Sequence, residues 1–318
     1  MFEKLKKKFP NLYDLYTHWQ RQEKIRQIEA VKKMPLDKQL ETLERLYEKR
    51  IGHKLDWSNL ETYTEKMQWE KVYDKNPLKV ELADKYAVRA WVAEKIGGKY
   101  LIPLLGVYDC FDDIDFSKLP DRFVMKTNHG SGTNFIVKDK QRHFNVKQVR
   151  RMFNDWMATD YGYNTGFELH YSQIKRRIII EKYLETPEKQ LQDYKFLCFD
   201  GEPKFCWVDM GRYSNHTRNV YDLAWNLQPW KQERYPIYEN PIPCPSHFDK
   251  MIEIARILSK GFAHVRVDLY NVNGEIYFGE MTFTNGSGLD RIIPEKYDRM
   301  LGDLWHIDTK QRMSKNMR

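Results

Sequence analysis

The amino-acid sequence predicts an α+β layered fold, and three observations carry that prediction. Apolar residues recur at helical spacing through the first hundred positions. Beyond them come short runs rich in β-branched and aromatic residues, and the tight-turn dipeptides Asp200-Gly201 and Asn273-Gly274 close two pairs of these runs into hairpins. Between the hairpins Phe248, Ile252, Ala255 and Leu258 return to helical spacing. Strands joined by two-residue turns are antiparallel, so a doubly wound parallel sheet is not expected.

Taken in order, Leu12, Leu15, Trp19, Ile25 and Ile28 predict a first helix over 11–33. Pro35 then opens a second, whose Leu36, Leu40, Leu43 and Tyr47 keep the spacing until Gly52 ends it. Thr62 and Glu65 form a capping-box pattern at the start of a third. Asn76-Pro77 starts a fourth, expected to run through Asp84, Lys85 and Arg89 to Gly97-Gly98. Strands are expected at 104–108, 122–126 and 135–138, a helix at 145–159, and a loop at YGYNTG (161–166). The run RRIIIEKYL reads as a buried strand, KFLCF and KFCWV as the first hairpin, 248–262 as a helix, and VRVDLY and EIYFGE as the last hairpin.

Composition narrows the class. A chain of 318 residues with 41% hydrophobic and 31% charged residues is a globular protein with room for one composite domain or two. No apolar run is long enough to span a membrane, and MFEKLKKKFP has no apolar stretch behind its lysines, so no secretory signal is expected. Cys110, Cys198, Cys206 and Cys244 have neither CxxC nor zinc spacing and fit a reducing cytosol. The sequence therefore reads as cytoplasmic. Its net charge of +8 is concentrated in residues 1–54, where 14 Lys/Arg face 8 Asp/Glu. Such a segment is either a solvated helical face or a peripheral contact with the inner face of a membrane or a polyanion. No nucleic-acid module accompanies it, so no nucleic-acid partner is expected.

The chemistry-bearing residues cluster late. In HVRVDLYNVNGEIYFGEM, Arg266 and Asp268 share one strand face, and Glu280 lies on the neighbouring strand. Carboxylates inside apolar strands cost free energy unless paired or metal-bound. Two hard oxygen ligands beside a fixed cation suit Mg²⁺–nucleotide chemistry, although an Arg266–Asp268 ion pair accounts for the pattern too. Lys126 ends a strand before His129-Gly130-Ser131-Gly132-Thr133, a loop whose glycines would let backbone N–H groups approach phosphate, or which is simply a turn. Lys195 lies in the first strand of the first hairpin, and Arg212, His216 and Arg218 follow its second strand as candidate anion contacts or surface residues.

In this order the motifs resemble the ATP-grasp superfamily of carboxylate–amine ligases. Over about residues 60–290 they resemble most closely its TupA-like branch, named for teichuronopeptide biosynthesis. The matching stretches are TEKMQW, ADKYAVR, YLIPLLGVYD, KTNHGSG, DYKF, VRVDLY and YFGEMTF. The resemblance implies an ATP-grasp fold, two α+β lobes whose antiparallel sheets clamp ATP, after a basic helical segment over 1–72. The ATP-grasp domain would then span 73–318, with lobes over about 115–190 and 191–295. Lys85, Lys126 and Lys195 would bind the nucleotide, with the 129–134 loop closing over its phosphates. Glu181, Lys182, Tyr183 and Leu184 would hold adenine, and either Glu185 or Glu188 the ribose. Asp268 and Glu280 would bind Mg²⁺, while Arg266 and Lys126 would act on the transferring phosphoryl group. Thr282 stands where many relatives carry an asparagine ligand, with Asn285 nearby. Asn285 and Ser287, with Arg212, His216 and Arg218, would face substrate.

The implied reaction is ADP-forming amide synthesis through an acyl phosphate. By the same resemblance it joins an amine or amino acid to a uronic acid of a bacterial surface polysaccharide (capsule or teichuronopeptide type) or its precursor, and the reverse polarity fits equally. Two other classes compete. A glycosyltransferase needs a nucleotide-sugar site, and the one DxD spacing, Asp113-Ile-Asp115, lies in a polar, helix-like stretch. A non-catalytic, membrane-peripheral scaffold would rest on the basic N-terminal helices.

Overall fold

The computed structural model describes residues 10–164, 166–185, 191–211 and 215–307. The chain opens with helices α1 (Pro10–Lys32), α2 (Leu36–Ile51), α3 (Tyr63–Tyr73), α4 (Leu78–Ala83) and α5 (Val88–Ile96). Strands β1 (Leu104–Tyr108), β2 (Phe123–Thr127) and β3 (Asn134–Val137) follow, then α6 (Lys140–His143), α7 (Val146–Ala158), α8 (Tyr161–Asn164) and β4 (Ile178–Lys182). The remainder is β5 (Asp193–Phe199), β6 (Glu202–Met210), β7 (Thr217–Asp222), β8 (Lys231–Gln232), α9 (Phe248–Ser259), β9 (His264–Val272), β10 (Glu275–Thr282), β11 (Ile292–Ile293) and α10 (Lys296–Asp303). Among the described residues no helix is long and apolar enough to cross a membrane.

The expected α+β architecture is present, with three local corrections. The fourth helix is two helices, because the Asp84 carboxylate accepts from the Tyr86 and Ala87 amides and bends the chain between them. The expected loop at 161–166 contains one helical turn, α8, whose Gly162 amide is bound by the Asp160 side chain. Strand β7 carries Arg218 and Asn219 in buried positions, a polarity that hides it from apolar patterning. The capping box forms as written: Glu65 N–H donates to Thr62 Oγ1, and the Glu65 carboxylate accepts from the Thr62 amide at 2.9 Å.

The described residues fall into two compact units. One consists of residues up to Thr42 with Pro103–Tyr183. Its antiparallel sheet has the order β1-β4-β2-β3. Phe123, Met125, Ile178 and Ile180 turn one face into a core with Val149 and Phe153 of α7. The opposite face is left for Lys126 and Glu181. Helix α1 packs on α7 through polar pairs. Asp14 meets Arg151, and Asp155 accepts from Gln22 (2.8 Å) and meets His18 (2.9 Å) and Arg21 (3.4 Å).

The other unit consists of Leu43–Ile102 with Leu184 onward. Its five strands, in the order β10-β9-β5-β6-β7, are all antiparallel. Asp200 and Gly201, then Asn273 and Gly274, adopt positive φ, as two-residue turns between twisted strands require. One sheet face packs on α9, with Phe196 against Phe248. The other face is apolar at one end, where Leu197, Phe199, Trp207 and Val220 meet Tyr63, Met67, Leu301 and Trp305, and charged at the other.

Two buried groups in this second unit pull the pH dependence of stability in opposite directions. Burial pushes the His264 imidazole down to about 3, despite the Nδ1–H bond to the Cys198 carbonyl (2.9 Å). Burial pushes the Asp298 carboxyl up to about 6, against hydrogen bonds from the Thr64 amide and hydroxyl. Below about pH 6.5 the unfolded chain protonates its histidine and the folded chain does not, so His264 costs stability on acidification. Between about pH 6 and 4 only the folded chain holds the Asp298 proton, which contributes stability on acidification. Each slope is about 1.4 kcal/mol per pH unit, so the two offset one another in that window. In Asp298→Asn the compensation is gone. Urea unfolding should show its stability falling between about pH 6 and 4 by roughly 2 kcal/mol more than that of the parent. Parallel curves would show that Asp298 does not titrate this way.

Candidate active site

In the first unit the site begins on β2. Val124 pairs with Glu181 and Lys126 with Ile179, so Lys126 and Glu181 share a face as diagonal neighbours. Lys126 Nζ donates to Glu181 Oε2 at 2.6 Å. The loop after Thr127 is fixed at its base: the Thr127 and Thr133 hydroxyls bond at 2.6 Å, and the Asn128 amide side chain donates to the Lys175 carbonyl and accepts from the Arg177 amide. Gly130 and Gly132 both adopt positive φ, and the Tyr161 ring lies where a Cβ on Gly130 would project. A cavity of about 200 Å³ opens beside this loop, lined by His129, Ser131, Gly132 and Thr133, by Trp156 and Tyr161, and by Arg21 and Lys24 of α1. Sequence reasoning missed the last two cations, whose place in the loop pocket comes only from the docking of α1. On β4 the Lys182 amide donates to the Pro103 carbonyl (2.9 Å), and its side chain is exposed. Tyr183 and Leu184 are half-buried, and Glu185 is exposed. Glu188 and Arg212 lie outside the described residues.

In the second unit the charged end of the sheet gathers residues from five strands on one face. Lys195 pairs with Asp268, Asp193 and Arg218 each pair with Asp209, Asp268 pairs with Glu280, and Arg266 with Thr282. A plain two-residue hairpin would set Asp268 opposite Gly279 and turn Glu280 to the far face. A bulge between Phe278 and Glu280 absorbs Gly279 and brings Glu280 opposite Asp268. The backbone there is tight: a Cβ on Gly279 would meet the Asp268 carbonyl oxygen at 3.1 Å and the Tyr270 ring at 3.2 Å.

Arg266 organises the cluster. Its guanidinium donates to both Asp268 oxygens (2.6 and 2.7 Å), to Glu280 Oε1 (3.1 Å), to the Thr282 hydroxyl (3.1 Å) and to Asn285 Oδ1. Burial alone would lower its pKa, but Asp268 and Glu280 hold it above the usual guanidinium range. Lys195 Nζ lies 2.6 Å from Asp268, 3.7 Å from Asp193 and 3.9 Å from Asp209, and Lys85 Nζ lies 3.4 Å from Glu280. Arg218 grips Asp209 at 2.5 and 2.7 Å and stacks over the Tyr235 ring, with His216 Nε2 3.3 Å from the same carboxylate. Burial would raise the Asp209 carboxyl, yet Arg218, His216 and Lys195 hold it well below the usual carboxylate range. Sequence reasoning passed over Asp209, though a carboxylate inside KFCWVDM carried the same signal as Asp268. Ser287 is buried apart from this group, its hydroxyl and carbonyl oxygens taken by Lys71 (3.1 and 2.7 Å). Among the described residues, the cations Lys85, Lys195, Arg218 and Arg266 are equalled in number by the carboxylates Asp193, Asp209, Asp268 and Glu280.

A family model described as TupA-like ATPgrasp matches residues 65–306, most of the chain and all of the charged cluster. The chain belongs to the TupA-like ATP-grasp family. Helices α1 and α2 both precede the part this family shares. A comparison with curated proteins finds no match. Among solved structures, the chain is similar to D-alanine–D-alanine ligase from Bacillus anthracis complexed with ATP, at 17% identity and a TM-score of 0.36 over 64% of this chain and 53% of that one. A second structure of that enzyme matches at 17% identity and TM-score 0.40 over 75% and 70%. L-Amino acid ligase from Bacillus licheniformis matches at 12% and 0.38 over 66% and 42%. The chain therefore spans about half the length of the first and last of these.

For the magnesium ion that the ATP-grasp family implies, the donor chemistry fits. Asp268, Glu280 and Thr282 of the β9–β10 hairpin and the nearby Asn285 present hard oxygens, gathered around the Arg266 guanidinium. Among the described residues no third His, Cys, Asp or Glu joins a metal-sized cluster. The two carboxylates are already neutralised by Arg266, Lys195 and Lys85. A dication would therefore be stable here only with an anionic companion ligand, as magnesium bound through one or two carboxylates plus phosphate oxygens commonly is.

Proposed function

We propose that this chain is an ATP-dependent carboxylate–amine ligase, forming an amide through an acyl phosphate. We further propose that it joins an amine or amino acid to a uronic acid of a surface polysaccharide or its precursor. The observation that carries the ligase reading is the buried Arg266 guanidinium, locked against Asp268 and Glu280 on paired strands beside Lys195 and Lys85. Family membership supports it, and so does the charge balance, because carboxylates already paired with cations favour a metal that arrives with a polyphosphate. Magnesium held by Asp268 and Glu280 would neutralise charge on the terminal phosphates.

The chain's own residues supply positioning and electrostatics. Arg266 is fixed by two carboxylates and needs no reorganisation to face charge developing on the transferred phosphoryl group. The Asn285 amide nitrogen is buried with no hydrogen-bond partner among the described residues, a donor suited to a phosphate oxygen. By family membership, Lys126 and the 129–133 loop would bind nucleotide phosphate. A substrate carboxylate oxygen attacks the γ-phosphorus, and the bond to the β-phosphate oxygen breaks to release ADP. The amine nitrogen then attacks the acyl carbon, phosphate departs with the bonding pair, and the amine loses a proton. ADP release should therefore require both an acid and magnesium, and hydroxylamine in place of the amine should give a hydroxamate of the acid, read by mass. AMP with pyrophosphate as products would mean adenylation and overturn the mechanism.

A further inference from the structure

The first half of helix α1 is built inside out. Toward its start the inward face is polar, with Asp14, His18, Arg21 and Gln22 turned toward Arg151 and Asp155, while farther along Ile28 is buried and Lys32 meets Asp160. Its outward face, on the opposite side of the helix, carries Leu12, Leu15, Tyr16 and Trp19, with Leu12, Leu15 and Trp19 exposed by 61%, 52% and 59%. The hydrophobic effect alone would have turned these side chains onto the protein. Over this half the pairs with the buried Asp14 and Asp155 carboxylates fix the opposite orientation, so the exposed apolar stripe is specified rather than incidental. Beyond Trp19 the outward positions are Gln20, Arg26 and Gln27, which confines the patch to the start of the helix.

We propose that this face docks on an anionic lipid bilayer. In the sequence this face is preceded by Phe2, Leu5 and Phe9 and by the cluster Lys4, Lys6, Lys7 and Lys8. Large apolar and aromatic side chains beside a dense lysine cluster are complementary to an interface of acyl chains and acidic headgroups. A second copy is a poorer occupant, since a twofold contact would bring like charges together. Attachment would be peripheral, because no described helix can span a bilayer. The site lies outside the family-matched residues and does not depend on the reaction proposed above.

The test is co-sedimentation of the full chain with vesicles of phosphatidylcholine alone and of phosphatidylcholine mixed with phosphatidylglycerol. The parent should bind the anionic vesicles and release them as salt rises. The Leu12→Ser, Trp19→Ser double variant should bind about tenfold more weakly. Replacing Lys4, Lys6, Lys7 and Lys8 by glutamine should remove the preference for phosphatidylglycerol. Unchanged thermal midpoints would show that these surface changes leave the fold alone. Failure of the parent to bind, or equal binding by the Leu12/Trp19 variant, would overturn the proposal. So would vesicle-free dimerisation that the same variant abolishes, which would make the face a self-association surface.

Discussion

Asp268→Asn is expected to abolish ADP release and also to destabilise the fold by about 3–5 kcal/mol, whereas Glu280→Gln abolishes release at little cost in stability. The difference lies in burial and partners. The Asp268 side chain is 3% exposed and accepts from both Arg266 and Lys195, so neutralising it strands two buried cations. Glu280 is 21% exposed, and Arg266 keeps Asp268 when Glu280 is lost. Denaturant unfolding beside an ADP-release assay separates the two effects. A Glu280→Gln enzyme with full magnesium-dependent turnover would refute the assignment of Glu280 to the metal. Full turnover in both variants would remove the ion from this hairpin altogether.

The same hairpin shows where sequence reasoning reaches and where it stops. Its turn was legible because Asn273-Gly274 must supply two positive φ values, a requirement few residue pairs meet. The convergence of Asp268 with Glu280 was also legible, but strict alternation from that turn puts them on opposite faces. Only the bulge at Gly279 restores the pairing, and a lone glycine in a strand does not announce which face it will flip. Asp209 was overlooked because its partners are Lys195, fourteen residues earlier, and Arg218 on a strand that looks too polar to be one. Helix α1 was legible as a helix, while its orientation was not. Apolar spacing says which residues share a face, but Asp155, which draws the polar face of its first half inward, lies over a hundred residues away. Local turn chemistry is thus read directly from sequence, whereas long-range ion pairs that reverse a helix or license a polar strand are not.

Lys126→Met should lower ADP release by about a hundred- to thousandfold, and the pair it belongs to tells whether that loss is chemical or structural. Lys126 lies 2.6 Å from Glu181, whose side chain is nearly buried, so removing the lysine alone leaves a desolvated carboxylate and costs about 3 kcal/mol. In the double variant Lys126→Met, Glu181→Leu both charges are gone and the face is apolar. Stability should return to near the parent value, because replacing a buried ion pair by packed hydrophobic groups is often close to neutral. Activity should not return with it if Lys126 neutralises phosphate, since the Lys126 charge is gone from that point of the sheet. Recovery of both stability and ADP release in the double variant would show that the lysine serves only to satisfy Glu181. Glu181→Gln alone sharpens the distinction: it removes the competing carboxylate, frees Lys126 for an anionic ligand, and should leave the KM for ATP unchanged or lower. A raised KM would instead favour a direct contact between Glu181 and the nucleotide.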